Sequence, residues 1–188
     1  MRTAISDAVP VSAPYTKNRP GYVQIYCGSG KGKTTAALGL SLRTLLSGGS
    51  VYFSQFFKGR ETSEQGLCSW SDRFVLDQWG TGRFVMGEPC SEDIRAAMHG
   101  FEACSTVINS GYFNLVVLDE IFFCVTYQML SVEAICNLIL SRDPGVEVIL
   151  TGRYAPRELV MIADLVTDMR KVKHYYDKGV KARKGIEY

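Results

Sequence analysis

Histidine is scarce in this 188-residue chain, and cysteine never occurs as a close pair. The two histidines, His99 and His174, lie far apart, and none of the six cysteines is part of a C-x-x-C spacing. Zinc-type sites need close ligand pairs, so such a site is excluded by the spacing. The cysteines therefore predict free thiols in a reducing compartment.

Long apolar runs and a charge excess are also missing. No run approaches the ~20 apolar residues that span a bilayer, and Asp7, Pro10 and Pro14 interrupt any secretory signal near the amino terminus. The net charge of +2 gives no case for nucleic acid or an anionic membrane as a partner. We therefore expect a cytoplasmic protein with neither partner.

What the chain does contain is an alternation of strand and helix patterns after a polar arm at residues 1–20. We expect this arm to be flexible or to pack on a partner subunit, and residues 21–188 to form one domain. Strands are predicted at Tyr22–Cys27, Val51–Phe57, Phe74–Leu76, Leu115–Leu118, Val146–Leu150 and Leu165–Arg170, and helices at Thr34–Ser47, Ser91–Ser110, Ser131–Arg142 and Pro156–Ala163. This order favours an α/β fold with an open, mostly parallel sheet and helices on both faces.

A phosphate-binding loop lies between the first strand and the first helix. Its residues are Gly28, Ser29, Gly30, Lys31, Gly32, Lys33, Thr34 and Thr35. Glycines let backbone N–H groups face an anion, the lysine at 33 supplies charge, and the hydroxyl at 34 can bind Mg²⁺. The loop therefore predicts a nucleotide triphosphate site in a P-loop NTPase fold of the RecA-like type.

Cys27 is a departure from this motif, because the strict G-x-x-x-x-G-K-[ST] pattern has glycine there. Two interpretations remain open. The residue is either a small buried group that closes the loop or a reactive thiol near a helix amino terminus. The strand–loop–helix context argues against a chance glycine-rich turn.

An acidic pair, Asp119-Glu120, follows the wholly apolar run Leu115–Leu118. An acid at the end of a buried strand usually completes the Mg²⁺ shell of a P-loop site. Successive side chains of a strand point to opposite faces, so we expect only one of the two to bind the ion directly. The alternative is a solvated acidic turn.

The chain resembles the P-loop type of corrinoid adenosyltransferase from about Gly21 to its last residue. The stretches that carry the resemblance are Tyr26–Gly39, Val116–Ile121, Ile149–Arg153, Val172–His174, Gly179–Ala182 and Gly185–Tyr188. The resemblance implies transfer of the 5′-deoxyadenosyl group of ATP to Co(I) of cobalamin or a related corrinoid, with release of triphosphate. It also implies a homodimer, and a flavin-type reductant protein is a candidate partner.

Residue roles follow from this resemblance. Gly28–Thr35 would hold the triphosphate in a reversed orientation, with C5′ facing the corrinoid. Thr34 and Glu120 would bind Mg²⁺, and Lys33 would stabilise charge on the departing triphosphate. Lys33 and Glu120 are therefore the residues expected to act in catalysis.

On the corrinoid side the sequence departs from the family pattern of aromatic residues after a Thr-Gly pair. Here Thr81-Gly82 is followed by Arg83 and Phe84, which shifts the aromatic residue by one position, and Trp79 lies just before the pair. Trp79, Arg83 and Phe84 are the candidates, and core packing is the alternative for the two aromatic residues. Arg153 follows a strand end and is expected near phosphate or corrinoid, with an exposed surface position as the alternative.

Other functions stay open at this point, since a P-loop alone does not define a reaction. The chain could be a small-molecule kinase or a RecA-like ATPase, or a nucleotide switch or corrinoid carrier without turnover. A kinase normally has an arginine-rich lid, and the lid candidates in the corresponding half are Arg142 and Arg153. The lysines near the carboxy terminus are interrupted by Asp177 and Glu187, which favours a solvated basic face over a nucleic-acid site.

Overall fold

The computed structural model describes residues 20–82 and 87–188, so nearly all of the predicted arm lies outside the described residues. The strands are β1 (Val23–Cys27), β2 (Val51–Phe56), β3 (Phe74–Trp79), β4 (Leu115–Asp119), β5 (Glu147–Thr151) and β6 (Leu165–Asp168). The helices are α1 (Lys33–Leu46), α2 (Leu67–Trp70), α3 (Ser91–Ser110), α4 (Ile121–Thr126), α5 (Val132–Ser141) and α6 (Arg157–Ile162). Short 3₁₀ turns cover Ser63–Gly66 and Tyr175–Lys178.

All strand pairs within the described residues are parallel, in the order β3-β2-β4-β5-β1-β6. The order places β4 between β2 and β5, and every residue of β4 is buried. This position explains the unbroken apolar run Leu115–Leu118, because a strand covered on both faces has no solvent side. β1 and β4 both border β5, so their carboxyl ends lie on one edge of the sheet.

Helices cover both faces of the sheet, as predicted. Ala37 and Leu45 of α1 pack on one face together with Phe53 of β2. The opposite face is covered by α3, α4, α5 and α6, for example through Ile108 and Ile135. The predicted α/β class is therefore confirmed.

Local signals in the sequence account for the clearest helix ends. α3 begins at Ser91, where the Asp93 carboxylate accepts a hydrogen bond from the Cys90 N–H at 3.1 Å. It ends before Gly111, whose φ of 65° suits the left-handed closing position. The Ser131 hydroxyl caps α5 by accepting from the Ala134 N–H at 3.0 Å.

The structure lengthens one predicted strand and adds short helices that the local patterns did not indicate. β3 continues to Trp79 instead of ending at Leu76, because it pairs with β2 as far as Phe56 opposite Trp79. The short helix α4, directly after the acidic pair, was not predicted. Among the helices of the described residues, none has the length and apolar character needed to cross a bilayer.

Candidate functional site

The phosphate loop folds tightly against the segment that follows β6. The Gly30 N–H donates to the Met169 carbonyl at 2.6 Å, and a Cβ at Gly30 would lie 2.6 Å from that same oxygen. Gly28 has a φ of 107°, and a Cβ there would lie 2.4 Å from the Asp168 carboxylate. Glycine is therefore required at both positions, for reasons of close approach and backbone conformation.

Lys33 is the first residue of α1, and its ammonium group lies over the loop. Its Nζ donates to the Gly28 carbonyl at 2.9 Å and to the Gly30 carbonyl at 2.8 Å. The helix begins after Gly32, so the unpaired N–H groups of its first turn face the same region. Loop, ammonium group and helix amino terminus together form a concave positive surface suited to polyphosphate.

Asp119 connects the loop to the neighbouring strands at the carboxyl edge of the sheet. Its side chain is fully buried, and Oδ1 accepts from the Thr34 hydroxyl at 2.9 Å and from the Thr151 hydroxyl at 2.7 Å. The Thr151 hydroxyl in turn accepts from the Glu120 N–H at 2.9 Å. Asp119 thus fixes the rotamer of Thr34, which the sequence assigned to metal binding.

Glu120 adopts the left-handed conformation, with φ of 61°, and its side chain lines the cleft beside the loop. Its Oε2 is buried and has no hydrogen-bond partner among the described residues. Burial raises the pKa of Glu120 to about 7, the Asp119 carboxylate adds to the rise, and Lys33 and Lys58 oppose it. A buried carboxylate oxygen without a partner is costly, and a bound cation would satisfy it.

Lys58 is a site residue that the sequence interpretation missed. Its Nζ lies 3.2 Å from Asp119 Oδ2 and 3.5 Å from Glu64 Oε1, which is itself hydrogen-bonded at 2.7 Å to Gln55 Nε2. The Asp119 carboxylate raises the pKa of Lys58 against the opposing effect of burial. A usable signal was present, because the lysine follows β2 and so lies at the same sheet edge as the acidic pair.

A cleft of about 650 Å³ opens over this group. Its walls come from the phosphate loop, α1, the 3₁₀ turn after β2 and the last residues of the chain. The lining includes Lys31, Gly32, Lys33, Thr34, Thr35, Ser63, Glu64, Glu120, Ile186, Glu187 and Tyr188. The cleft therefore brings together most of the predicted nucleotide site and a carboxy-terminal segment that was not expected there.

The remaining predicted residues have more varied positions. The Arg153 carbonyl accepts from the Gly28 N–H at 3.0 Å, while its exposed guanidinium lies 5.8 Å from the Tyr154 ring centre. Trp79 donates to the Ser54 hydroxyl at 3.0 Å and packs so closely on α3 that a Cβ at Gly100 would lie 2.5 Å from its ring. This contact is the core packing considered as the alternative for Trp79.

Two further predictions concern the thiol before the loop and the corrinoid-side residues. Burial and the nearby Asp168 carboxylate raise the pKa of Cys27, so the thiolate is disfavoured and the packing interpretation is preferred. The predicted corrinoid residues Arg83 and Phe84 lie outside the described residues.

An aromatic group near the acidic pair was not predicted. It consists of Phe57, Phe123 and Tyr127, whose ring centres are 5.6 to 6.2 Å apart.

Comparison with known proteins identifies the family. The family model described as ATP:corrinoid adenosyltransferase BtuR/CobO/CobP matches residues 19–188. Corrinoid adenosyltransferase CobA of Salmonella typhimurium is 32% identical over 191 residues, covering 98% of this chain and 94% of that protein. Corrinoid adenosyltransferases of Escherichia coli K12 and a Sinorhizobium species are both 31% identical, covering 98% and 89% of this chain and 94% and 80% of those proteins.

These matches extend over the strand–loop–helix, the acidic pair and the carboxy-terminal segment alike. The resemblance inferred from the sequence is therefore confirmed, and with it the class of reaction, a group transfer. The chain belongs to the ATP:corrinoid adenosyltransferase family.

Proposed function

We propose that this protein transfers the 5′-deoxyadenosyl group of ATP to Co(I) of cobalamin or a related corrinoid, with triphosphate as the leaving group. The observation that carries the proposal is the convergence of Lys33, Thr34 and Glu120 on one cleft beside a glycine-rich loop. Membership of the family supplies the acceptor, since the loop alone would suit many nucleotide reactions.

The chemistry needs little from the protein beyond position and charge. The Co(I) electron pair attacks C5′ and forms the Co–C bond, while the C5′–O bond breaks and its electrons leave with triphosphate. No proton has to be removed from the nucleophile, so no general base is required. Lys33 stabilises the charge of the leaving group, and the loop N–H groups hold it in line.

The side chains of the cleft fit a divalent cation. We assign Thr34 and Glu120 as its protein ligands, because the Thr34 hydroxyl is held by Asp119 and the buried Glu120 Oε2 lacks a partner. No three His, Cys, Asp or Glu side chains of residues 20–82 and 87–188 converge on a metal, which suits an ion that keeps waters and phosphate oxygens as ligands. When bound, Mg²⁺ neutralises part of the triphosphate charge.

For the corrinoid side we propose the aromatic group Phe57, Phe123 and Tyr127 as apolar surface. Phe57 precedes Lys58, and Phe123 lies three positions after Glu120, so these rings lie at the carboxyl edge of the sheet that also carries the acidic pair. We propose Arg83 and Phe84 for the axial side of the corrinoid and assign Trp79, whose ring packs on α3, to the core. Arg153, with its exposed guanidinium, remains a candidate contact for phosphate or corrinoid.

We also propose the setting in which the reaction takes place. The six cysteines are all unpaired, which is typical of a reducing compartment and supports the cytoplasm. A homodimer and a flavin-type reductant protein that delivers Co(I) complete the proposal. Both are inferred from the family.

The experiment mixes the protein with MgATP and chemically reduced cobalamin under anaerobic conditions. The expected products are a light-sensitive Co–C compound and an equimolar amount of triphosphate. ADP and phosphate without alkylated cobalt would favour a kinase or ATPase instead. Lys33→Ala is expected to abolish turnover while its circular dichroism spectrum and melting temperature stay those of the parent protein; near-normal activity would refute the role of the loop.

A further inference from the structure

The last six residues form a compact turn, which we call the clasp (Arg183–Tyr188). The Gly185 N–H donates to the Tyr188 carbonyl at 2.7 Å, and the Glu187 N–H donates to the Arg183 carbonyl at 2.9 Å. These bonds close the segment on itself. The clasp therefore has its own defined shape and is not a loose end lying on the surface.

The clasp touches two different walls of the nucleotide cleft. Lys31, inside the phosphate loop, donates from Nζ to the Ile186 carbonyl at 2.7 Å, and the same Nζ lies 3.2 Å from Glu187 Oε1. On the other wall, the Ser63 hydroxyl donates to the Tyr188 carbonyl at 2.8 Å. The clasp thus bridges the phosphate loop and the segment that follows β2, across 155 and 125 positions of sequence.

Glu187 is the centre of these contacts. Its Oε2 accepts from the Arg183 N–H at 2.7 Å, and its Oε1 accepts a short hydrogen bond from the Tyr175 hydroxyl. The Arg183 guanidinium lies 5.0 Å from the Tyr175 ring centre and contacts both carboxylate oxygens at 3.3 Å. These contacts hold the carboxylate in one orientation towards Lys31. The Glu187 side chain is only 18% exposed.

We propose that Glu187 is a positioning residue for nucleotide binding, acting through Lys31, and that the clasp is the outer wall of the nucleotide cleft. The proposal rests on the proposed function only in taking MgATP as the ligand. Lys31 lies between Gly30 and Gly32, and glycine has the largest backbone freedom to lose on ordering. An anchor at Lys31 orders this part of the loop in advance, so less conformational entropy is lost when phosphate binds.

A clasp that keeps Lys31 away from the nucleotide would have the opposite effect on ATP binding. If the clasp withheld Lys31 from the nucleotide, breaking the ion pair would free the ammonium group and tighten ATP binding. If the clasp orders the loop, breaking the pair weakens binding. The sign of the change in affinity therefore separates the two arrangements.

The test compares the dissociation constant of MgATP for the full chain and for Glu187→Gln, which keeps size and removes charge. We expect about a fivefold increase, within the usual range of coupling between sites. The KM for ATP should rise by more than kcat falls, because the anchor acts on binding and not on the bond that breaks. The matched control is Asp177→Asn, which breaks the Lys171–Asp177 pair at 2.9 Å in the same region but away from the cleft lining, and should leave affinity and turnover unchanged.

Variants of Lys31 show whether Glu187 acts through it. Lys31→Met should weaken MgATP binding, Lys31→Arg should restore it in large part, and Glu187→Gln should add nothing on the Lys31→Met background. These variants also keep the test valid should Glu187→Gln disturb the fold. Unchanged or tighter binding by Glu187→Gln, or additive effects in the double variant, would overturn the proposal. Failure of the parent protein to bind MgATP would instead refute the proposed function.

Discussion

The buried carboxylate of Glu120 gives the first prediction. It can bind a cation, but without a ligand its charge destabilises the folded protein. Its pKa is raised from an ordinary 4.5 to about 7. The difference is about 2.5, and at 1.36 kcal/mol for each pKa unit the ionised group destabilises the empty protein by about 3 kcal/mol. Glu120→Gln removes this charge, so the variant should unfold at higher denaturant concentration than the parent protein at pH 8, measured in EDTA without nucleotide.

The pH dependence follows from the sign of the shift. A carboxyl whose folded pKa is raised is protonated in both states below pH 4.5, so it favours the folded state most there. As pH rises from 4.5 to 7, the unfolded chain loses its proton first and stability falls. The advantage of Glu120→Gln should therefore be near zero at pH 4.5, grow through pH 7 and level off above it.

Ligand should cancel most of the stability difference between the two proteins. MgATP at one hundred times its dissociation constant adds about 2.7 kcal/mol to the protein that binds it. The parent protein should gain this stability at pH 8, whereas Glu120→Gln should gain much less because a metal ligand is missing. A variant that is less stable at pH 8 without ligand, or an advantage that does not change with pH, would refute the reasoning.

Three other substitutions and one matched control test the surroundings of the cleft. Asp119→Asn removes a fully buried charge that pairs with Lys58, and should lower the free energy of unfolding by about 3 kcal/mol in urea titrations. Gly30→Ala places a Cβ 2.6 Å from the Met169 carbonyl and should weaken MgATP binding in calorimetry. The matched control is Gly66→Ala, which has open space around it and a right-handed helical conformation (φ −59°), and should keep binding and raise stability by roughly 0.4–1 kcal/mol. Lys58→Met removes a charge that lowers the pKa of Glu120, so the pH midpoint of Mg²⁺-dependent turnover should move upward; an unchanged midpoint would show that the two groups are not coupled.

The parts of the fold that were predictable are those fixed by neighbours in sequence. The phosphate loop could be recognised because strand residues, glycines and a helix pattern follow one another from Tyr22 to Ser47. α3 was predicted with its bounds, Ser91–Ser110, since its acidic first turn and its closing Gly111 are local signals. The buried strand β4 was visible as an apolar run without alternation.

The parts that were missed depend on pairing between distant segments. Lys58 meets Asp119 only because β2 and β4 are neighbours in the sheet, although the residues are 61 positions apart. The full length of β3 is set by its pairing with β2, not by its own residues. The contact of Lys31 with the clasp spans 155 positions, and no local pattern could indicate it.

The acidic pair shows how a correct local prediction stays incomplete. The sequence predicted that Asp119 and Glu120 would have different orientations, and their contacts do differ. It could not predict that Glu120 adopts a positive φ, which directs its carboxylate into a buried place without a partner. That conformation is set by the start of α4 and by the Thr151 hydroxyl that binds the Glu120 N–H.

The proposed reaction requires that the glycine-rich loop holds the polyphosphate of ATP. A crystal structure of the full chain with MgATP and a cobalt corrinoid that cannot react measures this directly. We expect triphosphate density within Gly28–Thr35, with Lys33 Nζ turned from the Gly28 and Gly30 carbonyls to phosphate oxygens and C5′ facing the corrinoid. Nucleotide density elsewhere, with Lys33 still bonded to those two carbonyls, would contradict it.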